Sequence, residues 1–203
     1  MNVAAILLAA GQSRRMGHFK PLLPFGEKTV IESCIDYLRR GGIATVVVVL
    51  GHRAEEMRES LSNLPVHFAV NPDAGSEMAA SIACGVQALP GEYQAVLLAP
   101  ADHPAIPDRV VSGLIEAWEA SSAKLAVPEY GGRGGHPVLV DLSFRDELLN
   151  LDPERGLRAL FDAHREQIVR VPVDTPFIAR DMDTWEDYRK LHLDVFGTEP
   201  VPQ

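Results

Sequence analysis

Residues 1–26 read MNVAAILLAAGQSRRMGHFKPLLPFG, and this stretch decides the fold class. An apolar run, Val3 to Ala9, passes directly into a loop that contains Gly11 and Gly17 and carries Arg14, Arg15 and Lys20. So short a run without a polar residue fits a strand buried on both faces, as in a parallel sheet. The loop suits a nucleoside triphosphate. Glycine has no Cβ, so backbone N–H groups can approach phosphate oxygens. Arginine offers those oxygens a planar fork, and lysine a mobile point charge. The spacing is neither GxxxxGK[ST] nor GxGxxG, because Gly11 is followed next by Gly17.

Outward from this stretch the chain repeats a strand-then-helix rhythm. Apolar runs at 3–9, 45–50, 66–70, 95–98 and 125–127 are predicted strands, several of them bounded by Gly or Pro. Thr29 is a predicted cap for a helix to about Arg40, with Ile31, Cys34, Ile35 and Leu38 on one face and Gly41-Gly42 as its stop. Helices are also expected over 53–61, 78–89 and 108–120, the last entered through Pro107. This alternation implies an α/β fold, a Rossmann-like three-layer sandwich with a mostly parallel sheet covered on both faces. Ligands of such sheets bind beyond the carboxyl ends of the strands, where the loop 11–20 falls.

After Val127 the rhythm changes. A Gly-rich turn at 130–137 precedes a short strand at 138–140, helical pieces at 144–149 and 156–164, and a strand at 167–173. A helix at 184–193 opens on Thr184 and Asp187, a loose capping box. Residues 197–203 are expected to fray. With no internal repeat and no linker, the expectation is one domain over 1–203.

At 203 residues the chain is long enough for one well-buried core. A net charge of −9 argues against nucleic acid as a partner but allows a local cationic pocket for a phosphorylated small molecule. Cys34 and Cys84, in no metal-ligand spacing, read as small buried hydrophobes in a reducing compartment. The apolar start lacks a positive leader, and no run approaches the ~20 apolar residues of a membrane span. A cytoplasmic protein without membrane partners is expected.

The first loop resembles the nucleotidyltransferase signature LAAGxSxRMGxxKxLLPxxG. Every fixed position matches from Leu8 through Pro24, and only Gly26 comes one residue early. The chain is thereby similar to the molybdenum-cofactor nucleotidyltransferases, and its LAAG and LLP variants are those of the cytidylyltransferase branch. The resemblance implies a nucleotidyltransferase and glycosyltransferase-A-like fold. It also implies that Leu8, Ala9, Ala10, Gly11, Ser13, Arg15 and Lys20 hold the nucleotide, with Arg15 and Lys20 as catalytic groups stabilising triphosphate charge.

Nucleotidyl transfer calls for a divalent metal, Mg²⁺, on carboxylate and phosphate oxygens. Asp102, after the run 95–98 and before Pro104, is a carboxylate at a strand end, where the family carries a metal-binding Asp. His103 beside it reads as structural. A second acidic element, Arg180-Asp181-Met182-Asp183-Thr184-Trp185-Glu186-Asp187, resembles the family's DIDTPEDY. Asp183 is the favoured second metal ligand, although an extended stretch puts Asp181 on the same face. Asp187 is assigned to the helix N-terminus.

Asn71 and Ser81 match the family's nucleotide-contacting NPDWxxGMxxSL element. Ala74 replaces its aromatic residue and Glu77 its glycine, which leaves the base open. The turn 132–137 resembles the acceptor-side GxRGHPV element and nominates Arg133, Gly135 and His136; Arg155-Gly156-Leu157-Arg158 resembles a GAR stretch only loosely. The function implied is Mg²⁺-dependent transfer of CMP from CTP to molybdopterin or molybdenum cofactor, with release of pyrophosphate and hand-over to a molybdoenzyme. Alternatives are a transferase using GTP or a sugar or alcohol phosphate acceptor, or a non-catalytic cofactor chaperone. The missing GxGxxG disfavours a nicotinamide oxidoreductase.

Overall fold

In the computed structural model, residues 2–11, 16–73 and 78–200 are described. Chain order runs β1 (Val3–Ala9), a small hairpin of β2 (Pro24–Phe25) and β3 (Lys28–Thr29), α1 (Val30–Arg40), β4 (Val46–Leu50), α2 (Ala54–Ser60), β5 (His67–Val70), α3 (Met78–Gln87), β6 (Ala95–Pro100) and α4 (Asp108–Glu119). Then come β7 (Leu125–Tyr130), β8 (Arg133–Gly134), β9 (Val138–Asp141), α5 (Arg145–Leu149), α6 (Leu157–Ala163), β10 (Ile168–Pro172) and α7 (Trp185–Phe196).

Among the described residues the main sheet is eight-stranded, in the order β10-β7-β9-β6-β1-β4-β5, with β8 paired to β7. β1 runs parallel to both β4 and β6, β4 to β5, and β10 to β7. β9 is antiparallel to β6 and β7, because the Gly-rich turn reverses the chain before it. The fold is a mixed α/β sandwich with a mostly parallel sheet. The predicted strand ending at Val127 continues to Tyr130, where Glu129 and Tyr130 pair with β8.

β1 is buried from both sides, as its composition requires. Val3, Ala5, Leu7 and Ala9 pack with α1 and α4 through Ile31, Ile35, Leu38, Val111 and Leu114, whereas Ile6 packs with Ile82 and Val86 of α3 and with Leu148 and Leu160 beyond. This alternation is the two-residue period of a strand with a helical layer on each face. Truncating Ile6 to alanine in such a core costs about 2–5 kcal/mol. Helix α1 opens with a full capping box between Thr29 and Glu32.

A third cluster ties the C-terminal helix to the first loop. Met16, Leu23, Phe25, Val30, Met182, Tyr188 and Leu191 bury one another, and the Tyr188 hydroxyl donates to Pro24 O at 2.5 Å. Helix α7 carries the Thr184–Asp187 capping box and ends at Gly197 in the left-handed region (φ 71°). The expected fraying does not reach residues 198–200. His192 Nδ1 donates to Thr198 O at 2.7 Å, Arg189 pairs with Glu199, and Pro200 is buried.

The sheet grows from β1 through β4 to β5 on one side, then crosses over to β6 on the other. A crevice therefore opens at the carboxyl ends of β1 and β6, as at the switch point of a doubly wound sheet. Register fixes its walls: Leu8 is paired with Pro100, and Ala101 N donates to Leu8 O at 3.1 Å. Gly11 and Asp102 each follow closely on these strand ends.

Candidate active site

The crevice is a cleft of about 360 Å³ lined by the strand-end residues Leu8 to Gly11, Asn71 and Pro100 to Asp102, together with Lys20, Met78 and Ser81. A Cβ built on Gly11 would meet nothing within 4 Å, so the backbone here faces open space. Ser13 and Arg15, expected in the same loop, and Glu77, expected at the base, lie outside the described residues.

Lys20 is drawn inward. Its residue is 8% exposed, and its Nζ lies 2.9 Å from Asp183 Oδ1 and 3.9 Å from Asp102 Oδ2. Pro21 starts a tight turn over Lys20–Leu22, closed by Leu23 N donating to Lys20 O at 3.1 Å, so the lysine backbone is fixed while its stem stays flexible. Asp102 is oriented from the other side, where His103 Nδ1 donates to Asp102 Oδ1 at 3.0 Å. Burial pushes the Asp102 carboxyl up, but His103, through its hydrogen bond and charge, and the Lys20 ammonium outweigh it and hold it below the ordinary carboxylate value.

Asn71 and Ser81 are both buried, and Asn71 Nδ2 donates to Ser81 Oγ at 3.0 Å. Asn71 Oδ1 also accepts from Asp73 N at 3.0 Å, so this side chain braces the turn after β5 against α3. The two candidate carboxylates of the C-terminal element part company. Met182 is buried in the third core cluster, with Asp183 reaching Lys20 on one side and Asp181 lining a second cavity. Asp187 serves the helix cap at Thr184.

That second cavity, of about 410 Å³, is bounded by His103, Gly135, His136, Arg158, Phe161 and Ile178 among others. Gly135 allows the close approach of two backbones, since a Cβ there would lie 2.3 Å from Ile178 O. His136 N donates to Ile178 O at 2.7 Å, which turns its ring inward, 5.3 Å from the His103 ring. Burial, and then the charge of His103, hold the His136 imidazole down at about 4, despite an opposing pull from Asp102. Its Nδ1 is buried with no hydrogen-bond partner among the described residues.

Arg133, nominated with Gly135 and His136, is not part of this wall. It sits exposed on β8, paired with Tyr130, on the outer side of the hairpin. Arg158 stands at the cavity instead, delivered by the first turn of α6. The only sequence signal for it was the loose GAR resemblance, and Phe161 had none. Among the described residues no group of three or more His, Cys, Asp or Glu side chains could by itself hold a metal ion. Asp102 and Asp183 nevertheless supply hard oxygen donors around a position already taken by a cation, the Lys20 ammonium, and that chemistry suits a divalent ion completed by phosphate and water. No helix among the described residues is long and apolar enough to cross a membrane.

Residues 5–169 match the family described as the MobA-like NTP transferase domain. The chain is 27% identical over 197 residues to nicotine blue oxidoreductase of Paenarthrobacter nicotinovorans, covering 93% of this chain and 96% of that protein. It is 26% identical over 189 residues to the molybdenum cofactor cytidylyltransferase of Escherichia coli K12, covering 92% and 93%. Among solved structures it superposes on Rv0371c of Mycobacterium tuberculosis with a TM-score of 0.84 at 26% identity, covering 95% of this chain and 98% of that one. A manganese complex of Rv0371c superposes with a TM-score of 0.81 at 25% identity, covering 96% and 100%.

Proposed function

Because the chain belongs to the MobA-like NTP transferase family, and is a nucleotidyltransferase, we propose that it transfers CMP from CTP to the phosphate of molybdopterin or its molybdenum-loaded form. Residues 1–203 act as one transferase domain in this reading. One observation carries it: the strand-end cleft and the second cavity meet at two adjacent residues, Asp102 and His103, joined by a 3.0 Å hydrogen bond. A nucleotide in the first and an acceptor in the second would bring an acceptor phosphate and an α-phosphorus together.

The reaction is an in-line displacement. An acceptor phosphate oxygen forms a bond to the α-phosphorus of CTP while the bond to the leaving pyrophosphate breaks. Leu8 to Gly11 provide backbone at the nucleotide, and Lys20, with Arg15, meets charge on the triphosphate as it shifts toward pyrophosphate. Asp102 and Asp183 would hold Mg²⁺, which when bound neutralises charge on the triphosphate and on the leaving group. A relative solved as a manganese complex supports a divalent-metal requirement.

On the acceptor side, Arg158 is the cation available to a phosphate, and His136, neutral at physiological pH, offers a hydrogen bond without adding charge. Similarity to a cytidylyltransferase supports CTP over GTP as the nucleotide. The setting proposed is the cytoplasm, where the free thiols Cys34 and Cys84 stay reduced, with a molybdoenzyme receiving the product.

Incubation with each NTP, Mg²⁺ and molybdopterin, followed by pyrophosphate measurement, tests the assignment. CTP should give the highest kcat/KM. A GTP preference moves the chain to the guanylyl reaction, and turnover only with a sugar or alcohol phosphate moves it to another acceptor. Electron transfer without pyrophosphate would align it with the nicotine blue oxidoreductase it resembles.

A further inference from the structure

We infer that Lys20 holds the metal position of the nucleotide-free protein, so that a divalent cation loads only in company with a triphosphate. This deepens, and rests on, the reading of Asp102 and Asp183 as the metal ligands.

The ammonium of Lys20 lies between these two carboxylates, 2.9 Å from Asp183 Oδ1 and 3.9 Å from Asp102 Oδ2. A lysine side chain this buried, at 8% residue exposure, must be paired, since an unpaired buried charge is costly. The carboxylates that pair it are the oxygens a divalent ion would use. Asp102 cannot swing away to serve both cations, because its Oδ1 is committed to His103 Nδ1 at 3.0 Å. Asp183 is anchored through its neighbour Met182 in the third core cluster. The pair is therefore preorganised around a monocation. An incoming dication finds one of its two negative charges already offset, and a like charge within a few ångströms.

A second observation points the same way. Among the described residues there is no group of three or more ligating side chains, whereas Mg²⁺ takes near-octahedral oxygen coordination and keeps several waters. Asp102 and Asp183 alone are thus a poor cage for a bare ion and a good half-site for one that carries phosphate oxygens. A triphosphate resolves both deficits. It brings the missing oxygens and gives Lys20, on its flexible stem, a new anion to pair with. The lysine then moves from ligand guard to phosphate contact, and the carboxylates are released to the metal. Without nucleotide the site stays closed to metal, which keeps an empty enzyme from being occupied by whichever divalent ion is abundant.

The test is a titration of the purified full chain with Mn²⁺ alone, followed by the electron paramagnetic resonance signal of free Mn²⁺. It is run on the unmodified protein, Lys20→Gln, Lys20→Arg and the double variant Lys20→Gln/Asp183→Asn. Loss of one charge-assisted competitor should tighten apparent Mn²⁺ affinity in Lys20→Gln by about tenfold or more. Lys20→Arg, which keeps the cation, should stay weak, and the double variant should lose the gain. Thermal unfolding with and without Mn²⁺ gives a second readout and shows whether each variant is folded. A Mn²⁺ affinity in the unmodified protein equal to that of Lys20→Gln overturns the inference, while the metal reading survives if Mn²⁺–CTP binding still depends on Asp183. Indifference of both Mn²⁺ and Mn²⁺–CTP binding to Asp183→Asn removes the metal reading and this inference with it.

Discussion

The strand-end cleft takes Leu8 to Gly11, Asn71 and Asp102 from at or just beyond the carboxyl ends of three parallel strands that share one sheet. The second cavity takes Gly135 and His136 from a turn, Arg158 and Phe161 from a short helix, Ile178 from a 3-10 turn over Pro176–Ala179, and Asp181 from the extended chain after it. The first is held by sheet register and closed by a charged trio, Lys20, Asp102 and Asp183. The second depends on close backbone packing at Gly135 and on an imidazole kept neutral by burial. The contrast teaches a division of labour. On the proposed reading, a polyphosphate site rests on strand geometry, whereas an acceptor site built from loops and a short helix can be remodelled without disturbing the sheet.

Substitutions at the carboxylates should expose this division most strongly. Asp102→Asn removes a proposed metal ligand and should cost several kcal/mol of transition-state stabilisation, on the order of a hundredfold or more in kcat. Asp181→Asn, in the second cavity, should leave the metal requirement unchanged and alter only the acceptor KM. An equal shift in metal dependence for the two variants would erase the distinction between the cavities. Lys20→Ala comes next, at about 1.5–3 kcal/mol, roughly ten- to a hundredfold in kcat/KM for CTP, with acceptor KM unaffected.

Two glycines probe the same contrast through stability. At Gly135 a Cβ would stand 2.3 Å from the Ile178 carbonyl oxygen, a backbone atom that cannot step aside. Gly135→Ala should therefore destabilise by about 1–3 kcal/mol in urea unfolding. At Gly11 a Cβ meets nothing within 4 Å, so Gly11→Ala should unfold like the parent while binding CTP more weakly. Equal unfolding midpoints for both variants would contradict the account of the second cavity.

The smallest effect expected is on acid stability. His136 titrates at about 4 in the folded chain against an ordinary value of 6.5. The unfolded chain thus binds this proton first as pH falls, so stability present above about 6.5 is lost progressively down to about 4. After allowance for partial exposure, the loss is about 2 kcal/mol. His136→Gln should flatten the stability profile across that window. A profile that still falls equally steeply would mean that His136 is not the group responsible. Asp102, held below the ordinary carboxylate value, acts in a separate and more acidic window, losing its contribution as pH falls through its folded value.

The parts of the molecule that were legible in the sequence are those written locally. The apolar run 3–9, the glycine that follows it and Asp102 after the run 95–98 announce themselves by position, and strand geometry then carries them into one crevice. The pairing of Lys20 with Asp183 spans 163 positions; the family resemblance assigns the two residues separate roles and does not pair them. An i, i+2 rule does not separate Asp181 from Asp183, because the burial of Met182 depends on a core assembled from two distant segments, 16–30 and 182–191. The apolar run ends at Val127, whereas strand β7 continues, because Pro128 and Glu129 still pair in the sheet. Arg158 stayed obscure for the same reason as the whole second cavity. Its partners are tertiary neighbours, not sequence neighbours, and exposed Arg133 was the more conspicuous residue.

Transfer of label from CTP carrying phosphorus-32 at the α-position tests the central claim most directly. With molybdopterin and Mg²⁺, the label should appear in a pterin–cytidine dinucleotide in step with unlabelled pyrophosphate, and neither product should form without acceptor. Label released as free CMP at the same rate with or without acceptor would contradict two cavities acting across the Asp102–His103 pair.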